Sequence, residues 1–387
     1  MANSRSPPPT GRFVSRRRLI CAASGAAAAV AAVGFPTVAR GQSGPVRMRW
    51  QSAWGANDVL QGYAQDFAGR VGDITGGELK IQILPAGAVV PAPELLDAVS
   101  KGALDGAHTA VVNQQARNSA FTLWGSGPAY GMDANTLLAW HRYGGGEALL
   151  AKIHAAIGAD VVGILYGPLF TQPLGWFKRP IGKSEDLRGL KLRTGGPALD
   201  LFAAMGASAA SLPDAELAAA LAGGAVDAVA FRDLSSDRRL GLAGVAKLCM
   251  LQSYHRNAEQ LELLFNRPRF AALPAALRTA LAAAADAASA ELSWKTIDRN
   301  SSDYIELRVK DQVKFYKTPD PVLQKELEVY DQLAAKEASA NPLFREVAES
   351  QRAFAARAVR WDMDNNVNRR LAFDHYFGPK PSARGKN

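Results

Sequence analysis

Cysteine is nearly absent from this chain. It occurs twice in 387 residues, as Cys21 and Cys249, and Cys21 lies in an arginine-rich N-terminal stretch. If that stretch is removed, Cys249 stands alone and no intrachain disulfide can form. A hydrophobic core therefore has to hold the fold together, and paired-cysteine metal sites and dithiol redox motifs are excluded.

Histidine is also scarce, and its five positions show no metal-ligand spacing: His108, His141, His154, His255 and His375. The chain lacks a G-x-S-x-G elbow, an H-E-x-x-H motif, a P-loop and a dinucleotide fingerprint. No pattern in the sequence therefore calls for catalysis or for a bound nucleotide.

Acidic residues are missing from the first 41 positions, which contain six arginines. After the arginine cluster, an Ala-rich apolar run extends over 19–38 and ends at Ala39-Arg40-Gly41, which is the pattern of a secretory signal peptide. Residues 15–20, SRRRLI, also fit the twin-arginine export pattern. We predict that residues 1–41 are removed on export to the periplasm.

A membrane anchor is the alternative interpretation of that run. Ala, Gly and Ser dilute its apolarity, which weakens stable spanning and favours cleavage near Gly41. No later segment has the length and apolarity of a spanning helix. The formal charge of +9 falls to about +3 without the six arginines, so the basic character does not indicate a nucleic-acid partner.

A duplication is visible after residue 45. The residues Glu-Leu, Ala and Gly-Ala-apolar-Asp recur with a constant separation of 122 positions: Glu94, Leu95, Ala98 and 102–105 against Glu216, Leu217, Ala220 and 224–227. Each copy predicts a helix, at 93–101 and 213–222, then a strand opened by Asp. Each copy also follows a predicted strand with Leu-Lys, at 79–80 and 190–191. Chance similarity between Ala-rich helices is the alternative, which the shared ending disfavours.

Apolar runs alternate with helical patterns from Val46 onward, which indicates an α/β fold. Two related α/β units in one chain predict two lobes with a ligand cleft, lined by residues that follow the strands. The predicted strands include 46–51, 79–84 and 259–265, and the predicted helices include 59–74, 273–292, 304–313, 321–338 and 344–360. For the last helix, packing on its own chain is favoured over a dimer interface.

Arg193 is the strongest candidate for ligand binding. It ends a predicted strand, and Thr194-Gly195-Gly196-Pro197 then leads directly into a helix. A guanidinium there offers two parallel hydrogen bonds to a carboxylate, beside free backbone N–H groups. The structural alternative is an ion pair with a nearby acid such as Asp186.

Other candidates are less specific. Gln172 interrupts an apolar stretch, where a solvated loop is the simpler interpretation, and Phe231 and Arg232 follow the strand of the second copy. Trp54 and Tyr254 offer aromatic faces, although such residues more often lie in a core.

The chain resembles the extracytoplasmic solute receptors of tripartite ATP-independent periplasmic (TRAP) transporters, nearest the branch that binds 2-oxo acids and other monocarboxylates. The resemblance covers roughly 46–361 and is carried by 79–87, 124–128, 171–176, 189–194 and 235–238. It implies a periplasmic binding fold whose lobes close by hinge motion, with 273–292 and its continuation as the bridging helix. It also implies that Arg193 pairs with the substrate carboxylate and that Gln172 helps bind a bridging cation.

The sequence departs from that branch at two places. Ala230 stands where the branch has a glutamate, so a hard cation would lose its main charged ligand, and we expect no metal, with Arg232 supplying positive charge instead. Amides, Asn113-Gln114-Gln115, stand where relatives have aromatic residues. This favours a ligand more polar than pyruvate, with extra hydroxyl or carboxylate groups.

The prediction is thus a non-catalytic receptor for a small organic acid, with membrane transporter subunits as partners and no cofactor; a homodimer through the C-terminal helix is the alternative to packing of that helix on its own chain. Site residues are Arg193, Gln172, Asn113, Phe231, Arg232, Trp54 and Tyr254. Lobe I comprises 42–165 with about 252–290, lobe II comprises 166–251 with about 291–370, and 371–387 is a tail. The alternatives are a secreted enzyme acting on organic acids and a receptor for an ATP-driven transporter.

Overall fold

Two mixed β-sheets organise the fold in the computed structural model, which describes residues 44–378. The predicted signal peptide and the end of the predicted tail lie outside the described residues. Within 44–378, no helix combines the length and the apolarity needed to cross a membrane.

The first sheet has the strand order β2-β1-β3-β10-β4. Its strands are β1 (Val46–Ser52), β2 (Leu79–Leu84), β3 (Gly106–Ala110), β4 (Val161–Leu169) and β10 (Glu259–Asn266). β1 pairs in parallel with β2 and β3, whereas β10 runs antiparallel to β3 and β4. The carboxyl ends of β1 and β3 therefore meet at one edge.

The second sheet has the order β11-β9-β5-β8-β6-β7. Its strands are β5 (Gly175–Phe177), β6 (Lys191–Arg193), β7 (Ser208–Ala210), β8 (Ala228–Val229), β9 (Leu248–Leu251) and β11 (Lys314–Lys317). β6 pairs in parallel with β7 and β8, while β5 is antiparallel to β8 and β9. The runs β2-β1-β3-β10 and β7-β6-β8-β5 thus share one topology.

The repeated Gly-Ala-apolar-Asp ending has a structural explanation. The carboxylate of Asp105 accepts a hydrogen bond from the backbone N–H of Arg49 in β1 at 2.8 Å, and that of Asp227 accepts one from Lys191 in β6 at 3.0 Å. In both copies the backbone N–H of the Asp donates to the carbonyl of the same neighbour, at 3.0 and 2.8 Å. Each Asp therefore fixes the start of its strand against the adjacent strand.

One part of the predicted repeat is wrong. Leu79-Lys80 lies in β2, but Leu190-Lys191 leads into β6, which corresponds in topology to β1 because it lies between its two parallel neighbours. The counterpart of β2 is β7, whose sequence Ser-Ala-Ala carries no Leu-Lys. The two Leu-Lys pairs therefore do not mark corresponding strands of the two copies.

The helices are α1 (Val59–Ile74), α2 (Leu95–Ser100), α3 (Ala134–Tyr143), α4 (Gly146–Ala156), α5 (Ala198–Ala204), α6 (Leu217–Gly223), α7 (Leu234–Arg239), α8 (Leu242–Val245), α9 (Arg267–Ala271), α10 (Ala275–Val309), α11 (Asp320–Ala340), α12 (Pro342–Asn365) and α13 (Arg369–Phe377). Short 3-10 turns occupy Ala92–Glu94, Val111–Gln114, Ser119–Trp124, Ala129–Gly131, Ser184–Leu187 and Asp214–Glu216.

Helix α10 bridges the two cores. Leu277, Leu281 and Leu292 pack in the core of the first sheet, whereas Leu307 is buried with residues of the second. The helix begins where the predicted one did but continues to Val309, because its apolar positions shift from one core to the other along its 35 residues. Such a helix couples the lobes mechanically.

The C-terminal helices cross back over the molecule. Val322 of α11 is buried in a core of the second sheet, whereas Phe344 and Val347 of α12 are buried beside Trp124 and Trp140. Helix α12, which falls in the predicted second lobe, therefore packs against elements that belong to the first. The apolar face predicted for it packs on its own chain.

Candidate functional site

A cavity of about 310 Å³ lies between the two sheets. Its wall includes six of the seven predicted site residues: Trp54, Asn113, Gln172, Arg193, Phe231 and Arg232. Each of them ends a strand or closely follows one, namely β1, β3, β4, β6 or β8. Parallel strands of both sheets thus present their carboxyl ends to one space, as expected for an α/β binding site.

Arg193 is buried, with 7% of its surface exposed. Its Nε and Nη2 donate to the carbonyl of Leu212 at 3.3 and 3.0 Å, Nη1 donates to the carbonyl of Ala230 at 3.2 Å, and Nη2 also donates to Asp214 Oδ1 at 2.9 Å. Burial lowers the pKa of Arg193 and Asp214 opposes that shift, but a guanidinium stays charged at physiological pH. The site therefore contains a rigidly held cation.

The acid that pairs with Arg193 is not the one considered from the sequence. Asp186 accepts hydrogen bonds from the backbone N–H groups of Gly182 and Lys183, which lower its pKa. The actual partner, Asp214, has 48% of its side chain exposed. Because the Asp214 side of this ion pair is open to water, a ligand carboxylate can replace Asp214 as the partner of Arg193 at a small cost in free energy.

Phe231 lies between two guanidinium groups. The Cζ atoms of Arg193 and Arg232 lie 5.4 and 4.7 Å from the centre of its ring. Both contacts are in the range of cation–π attraction. The ring therefore holds the two positive groups apart while forming an apolar part of the cavity wall.

Arg232 connects the two lobes. Its Nη1 donates to Asp58 Oδ1 at 2.7 Å, and both side chains are mostly buried, at 12% and 18% exposed. Asp58 precedes α1, which packs on the first sheet, and Arg232 follows β8 of the second. Burial is the largest single influence and lowers the pKa of Arg232, but the charge and hydrogen bond of Asp58, with the charges of Asp233 and Asp214, together raise it above its ordinary value. This ion pair therefore links elements that pack on the two different sheets.

Gln172 lies where the chain crosses from the first sheet to the second. Its backbone N–H donates to the carbonyl of Arg256 at 3.1 Å, which ties this crossing to the return crossing before β10. Its buried side-chain amide, oriented to satisfy both neighbours, donates to the carbonyl of Phe231 at 3.2 Å and accepts from Arg256 Nη1 at 3.3 Å. Gln172 is therefore part of the cavity wall and not a solvated loop residue.

Trp54 and Asn113 complete the wall on the first sheet. The Trp54 ring packs against His108 with ring centres 4.8 Å apart and ring planes tilted by 54°, and Ser52 Oγ lies 3.1 Å from His108 Nδ1. Asn113 is exposed, and its amide nitrogen donates to Thr109 Oγ1 at 3.1 Å. The wall here combines one aromatic face with an amide that is open to solvent.

The prediction that Tyr254 walls the same cavity is wrong. Tyr254 instead lines a separate cavity of about 640 Å³ with Thr171 and Lys317. Its backbone N–H donates to the buried carboxylate of Glu326 at 2.5 Å, and Ser253 Oγ donates to the same side chain at 2.8 Å. This anchoring to α11 directs Tyr254 away from the binding cavity. The two residues that follow it, His255 and Arg256, line that cavity.

Several residues that line the cavity were not among the seven predicted site residues, although Gln115 and the turn of 194–196 were noted in the sequence. They are Asp214, His255, Arg256 and Glu259, with Leu60, Val112, Gln115, Thr194, Gly195 and Gly196. Arg256 and Glu259 form an ion pair at 3.4 Å. Gly196 has φ +62°, and a Cβ there would lie 3.3 Å from Arg256 Nη2, so glycine lets the guanidinium approach. An available signal was Glu259, an acid at the amino end of a predicted strand whose apolar residues are Leu261, Leu263, Leu264 and Phe265.

The donor set around Ala230 does not fit a hard cation. Its only oxygen is the backbone carbonyl, which already accepts a hydrogen bond from Arg193. The carboxylates in and beside the cavity, Asp58, Asp214 and Glu259, are each paired with an arginine, Glu259 by the longest contact, 3.4 Å. Calcium and sodium prefer several unpaired oxygen ligands. Within the described residues, no group of three or more His, Cys, Asp or Glu side chains is placed to hold a metal ion.

Comparison with known proteins agrees with this geometry. Residues 51–340 match the family of bacterial extracellular solute-binding proteins, family 7. A monocarboxylate 2-oxoacid-binding periplasmic protein of Nostoc sp. is 26% identical over 329 residues, covering 84% of this chain and 89% of that protein.

Two crystal structures are also similar. A TRAP transporter solute-binding protein from Bordetella bronchiseptica, with calcium and picolinate in one active site, has a TM-score of 0.77 and 26% identity, covering 86% of this chain and 97% of that one. A TRAP periplasmic solute-binding protein from Colwellia psychrerythraea, with calcium and pyruvate, has a TM-score of 0.78 and 25% identity, covering 86% and 100%.

These matches define the class of protein as a binding protein with two lobes and no catalytic activity of its own. The chain belongs to family 7 of the bacterial extracellular solute-binding proteins. The predicted resemblance, the two-lobed α/β fold and the helical C-terminus are confirmed. The receptor hypothesis is confirmed over the secreted enzyme.

Replacement of Asp58 by Asn tests the pair that joins the lobes. Asn preserves the N-cap of α1, where Asp58 Oδ1 accepts from the N–H of Leu60 at 2.8 Å, but removes the charge facing Arg232. We expect bound ligand to dissociate about tenfold faster, a loss of ~1.4 kcal/mol. Stopped-flow displacement measures the rate. Asp73→Asn, on the exposed face of α1, is the control, and equal rates for both variants and the wild type would contradict the assignment.

Proposed function

We propose that this protein is the periplasmic binding subunit of a TRAP transporter and that it captures a small organic monocarboxylate. The observation that carries the proposal is Arg193, a buried guanidinium at a strand end in the cavity between the lobes, whose acid partner is exchangeable. Its similarity to a 2-oxoacid-binding protein and to a pyruvate-bound receptor supports the same ligand class. The N-terminal export pattern and the extracellular family support a periplasmic location.

Ligand capture proceeds by closure of the lobes. The carboxylate replaces Asp214 at Arg193, Gln172 and Asn113 add polar contacts, and Phe231 and Trp54 cover the apolar part of the ligand. Closing excludes water, which strengthens the ionic contact. The closed lobes then present a composite surface to membrane subunits that use an ion gradient, so that the receptor itself requires no nucleotide.

The site binds its ligand without a bridging cation, unlike the calcium-containing structures above. Arg232 supplies fixed positive charge beside Phe231, and its N–H groups other than the one on Asp58 can bind ligand oxygens. An arginine with its own salt bridge costs less to bury than an isolated charge. This substitution of a guanidinium for a metal fits the absence of a carboxylate at Ala230.

The protein also forms a homodimer through its C-terminal helix. The apolar residues of α12 up to Phe354 are buried on the same chain, but the apolar side chains that follow are largely exposed: Trp361, Met363, Val367, Leu371, Phe373, Tyr376 and Phe377. A cluster of this kind at a helical terminus is typical of an interface with another protein surface. The exposed cluster continues directly from α12, which packs on this chain. This continuity favours a second copy of the chain as the partner that covers the cluster.

Replacement of Arg193 by Ala tests the carboxylate contact. We expect at least an about 100-fold loss of affinity for every organic acid bound by the wild type, because a buried charge-assisted bond is removed. Isothermal titration measures the affinity, and Arg179→Ala, an exposed position, should leave it unchanged. Retention of acid binding by the Arg193 variant would refute the proposed function.

Removal of divalent ions tests the cation-free site. After dialysis against EDTA and into sodium-free buffer, we expect ligand affinity and the ligand-induced rise in melting temperature to remain within about twofold of the untreated protein. Elemental analysis of the liganded protein should find less than one metal ion per chain. A stoichiometric metal whose removal abolishes binding would overturn the assignment of Arg232.

The double variant Leu371→Glu, Phe377→Glu tests the dimer. Two charges on this exposed apolar face should convert a dimer into a monomer, with the melting temperature of the ligand complex at low protein concentration unchanged. Light scattering coupled to gel filtration measures the mass. Gln332→Glu, on an exposed polar position of α11, is the control; a monomeric wild type would disprove the interface.

A further inference from the structure

Glu259 is a buried carboxylate with few partners. It lines the binding cavity with only 7% of its side chain exposed. Its Oε2 accepts one hydrogen bond, from Arg256 Nη1 at 3.4 Å, and Oε1 accepts none from the described residues. By contrast, the Arg232–Asp58 contact is 2.7 Å long.

This arrangement leaves hydrogen-bonding capacity unused. An ionised carboxylate offers about four acceptor positions, and a contact of 3.4 Å lies at the weak end of hydrogen-bond geometry. Burial of such a group is costly unless donors satisfy it. The protein provides one weak donor, so the remaining acceptor positions face the cavity, where water or a bound ligand can donate to them.

The required donor identifies a chemical group. A second carboxylate or a keto oxygen only accepts hydrogen bonds, so it would place one acceptor against another at Glu259. An ammonium group donates but would lie among the guanidinium groups of Arg193, Arg232 and Arg256. A hydroxyl group is neutral, donates to Glu259 and accepts from Arg256. A hydroxyl group therefore matches the adjacent ion pair of Arg256 and Glu259.

The cavity has room and partners for more than one hydroxyl. Its volume of about 310 Å³ exceeds what a three-carbon acid fills, since one water in the liquid occupies ~30 Å³. The amides of Asn113, Gln115 and Gln172 also line it, and each both donates and accepts. Amide groups and hydroxyl groups are mutually compatible in either direction.

We propose that the ligand is a polyhydroxylated monocarboxylate, an acid of the sugar-acid class, whose hydroxyl groups are bound by Glu259 and Arg256. This rests on the proposed function, in which Arg193 holds the carboxylate. Arg256 and Glu259 then determine which acid is selected, because they recognise the part of the ligand remote from Arg193.

A ligand panel tests the class on the full exported protein. Threonate, ribonate, gluconate and galactonate are compared by isothermal titration with pyruvate, hexanoate, adipate and 6-aminohexanoate, which carry no hydroxyl groups. We expect one hydroxylated acid to bind at least tenfold tighter than every hydroxyl-free acid. Tighter binding of pyruvate, the dicarboxylate or the amino acid would overturn the inference but leave the proposed function standing. Failure of every acid to bind would overturn both.

Glu259→Gln tests the residue itself. The variant keeps the shape but loses the charge, so affinity for the best hydroxylated acid should fall ~10–100-fold, whereas that for hydroxyl-free acids stays within about twofold. Glu216→Gln, an exposed acid outside the cavity, is the control. Glu259→Asp, which keeps the charge, covers the case in which the Gln variant folds poorly. Equal losses for both ligand types, or no loss in either variant, would defeat the assignment.

Discussion

The binding cavity depends on guanidinium groups that are neutralised by acids before any ligand arrives. The pairs are Arg193–Asp214, Arg232–Asp58 and Arg256–Glu259. Without these partners, several like charges around one desolvated space would strongly oppose closure of the lobes. The pairing also makes ligand binding an exchange reaction, in which an incoming group has to replace or supplement an existing partner.

The three pairs differ in how readily they exchange. The Asp214 carboxylate is half-exposed and returns to water easily, which leaves Arg193 free for a ligand carboxylate. Asp58 is mostly buried and also caps α1, so it stays with Arg232. Glu259 is buried but weakly bonded, so it gains partners and does not lose one. A ligand that combines a single anionic group with neutral hydroxyl groups therefore matches all three pairs, because a hydroxyl group can accept from an arginine and donate to Glu259.

The sequence predicted those site residues that lie at the carboxyl ends of strands. Arg193 was found because its strand leads directly into a helix, and Phe231 and Arg232 were found because they follow the strand of the second copy of the repeated motif; Asp227 fixes the start of that strand against β6 through the backbone N–H of Lys191. The register of the parallel strands then brings their carboxyl ends together. The local sequence pattern was sufficient to predict the site residues wherever the chain forms regular βα units.

The prediction failed where tertiary contacts set the direction of a side chain. The turn of residues 252–258 has no periodic pattern, and its conformation depends on the buried Glu326 of α11, more than 70 positions away in the sequence. That contact turns Tyr254 outward and brings Arg256 into the cavity. The length of α10 was underestimated for a related reason, since its burial changes from one lobe to the other partway along the helix.

Closure that is too stable would be as harmful to a transport receptor as closure that is too weak. The ion pair between Asp58 and Arg232 favours the closed state even without a ligand, which lowers the entropic cost of capture but slows release. A metal-bridged site places most of its closing energy in the ligand and cation together. In the proposed cation-free site, the closing energy is divided between a pair of side chains and the ligand. On that proposal, release of the ligand requires that the contact between Asp58 and Arg232 opens, and docking of the receptor on its proposed membrane subunits is the event that would supply the energy.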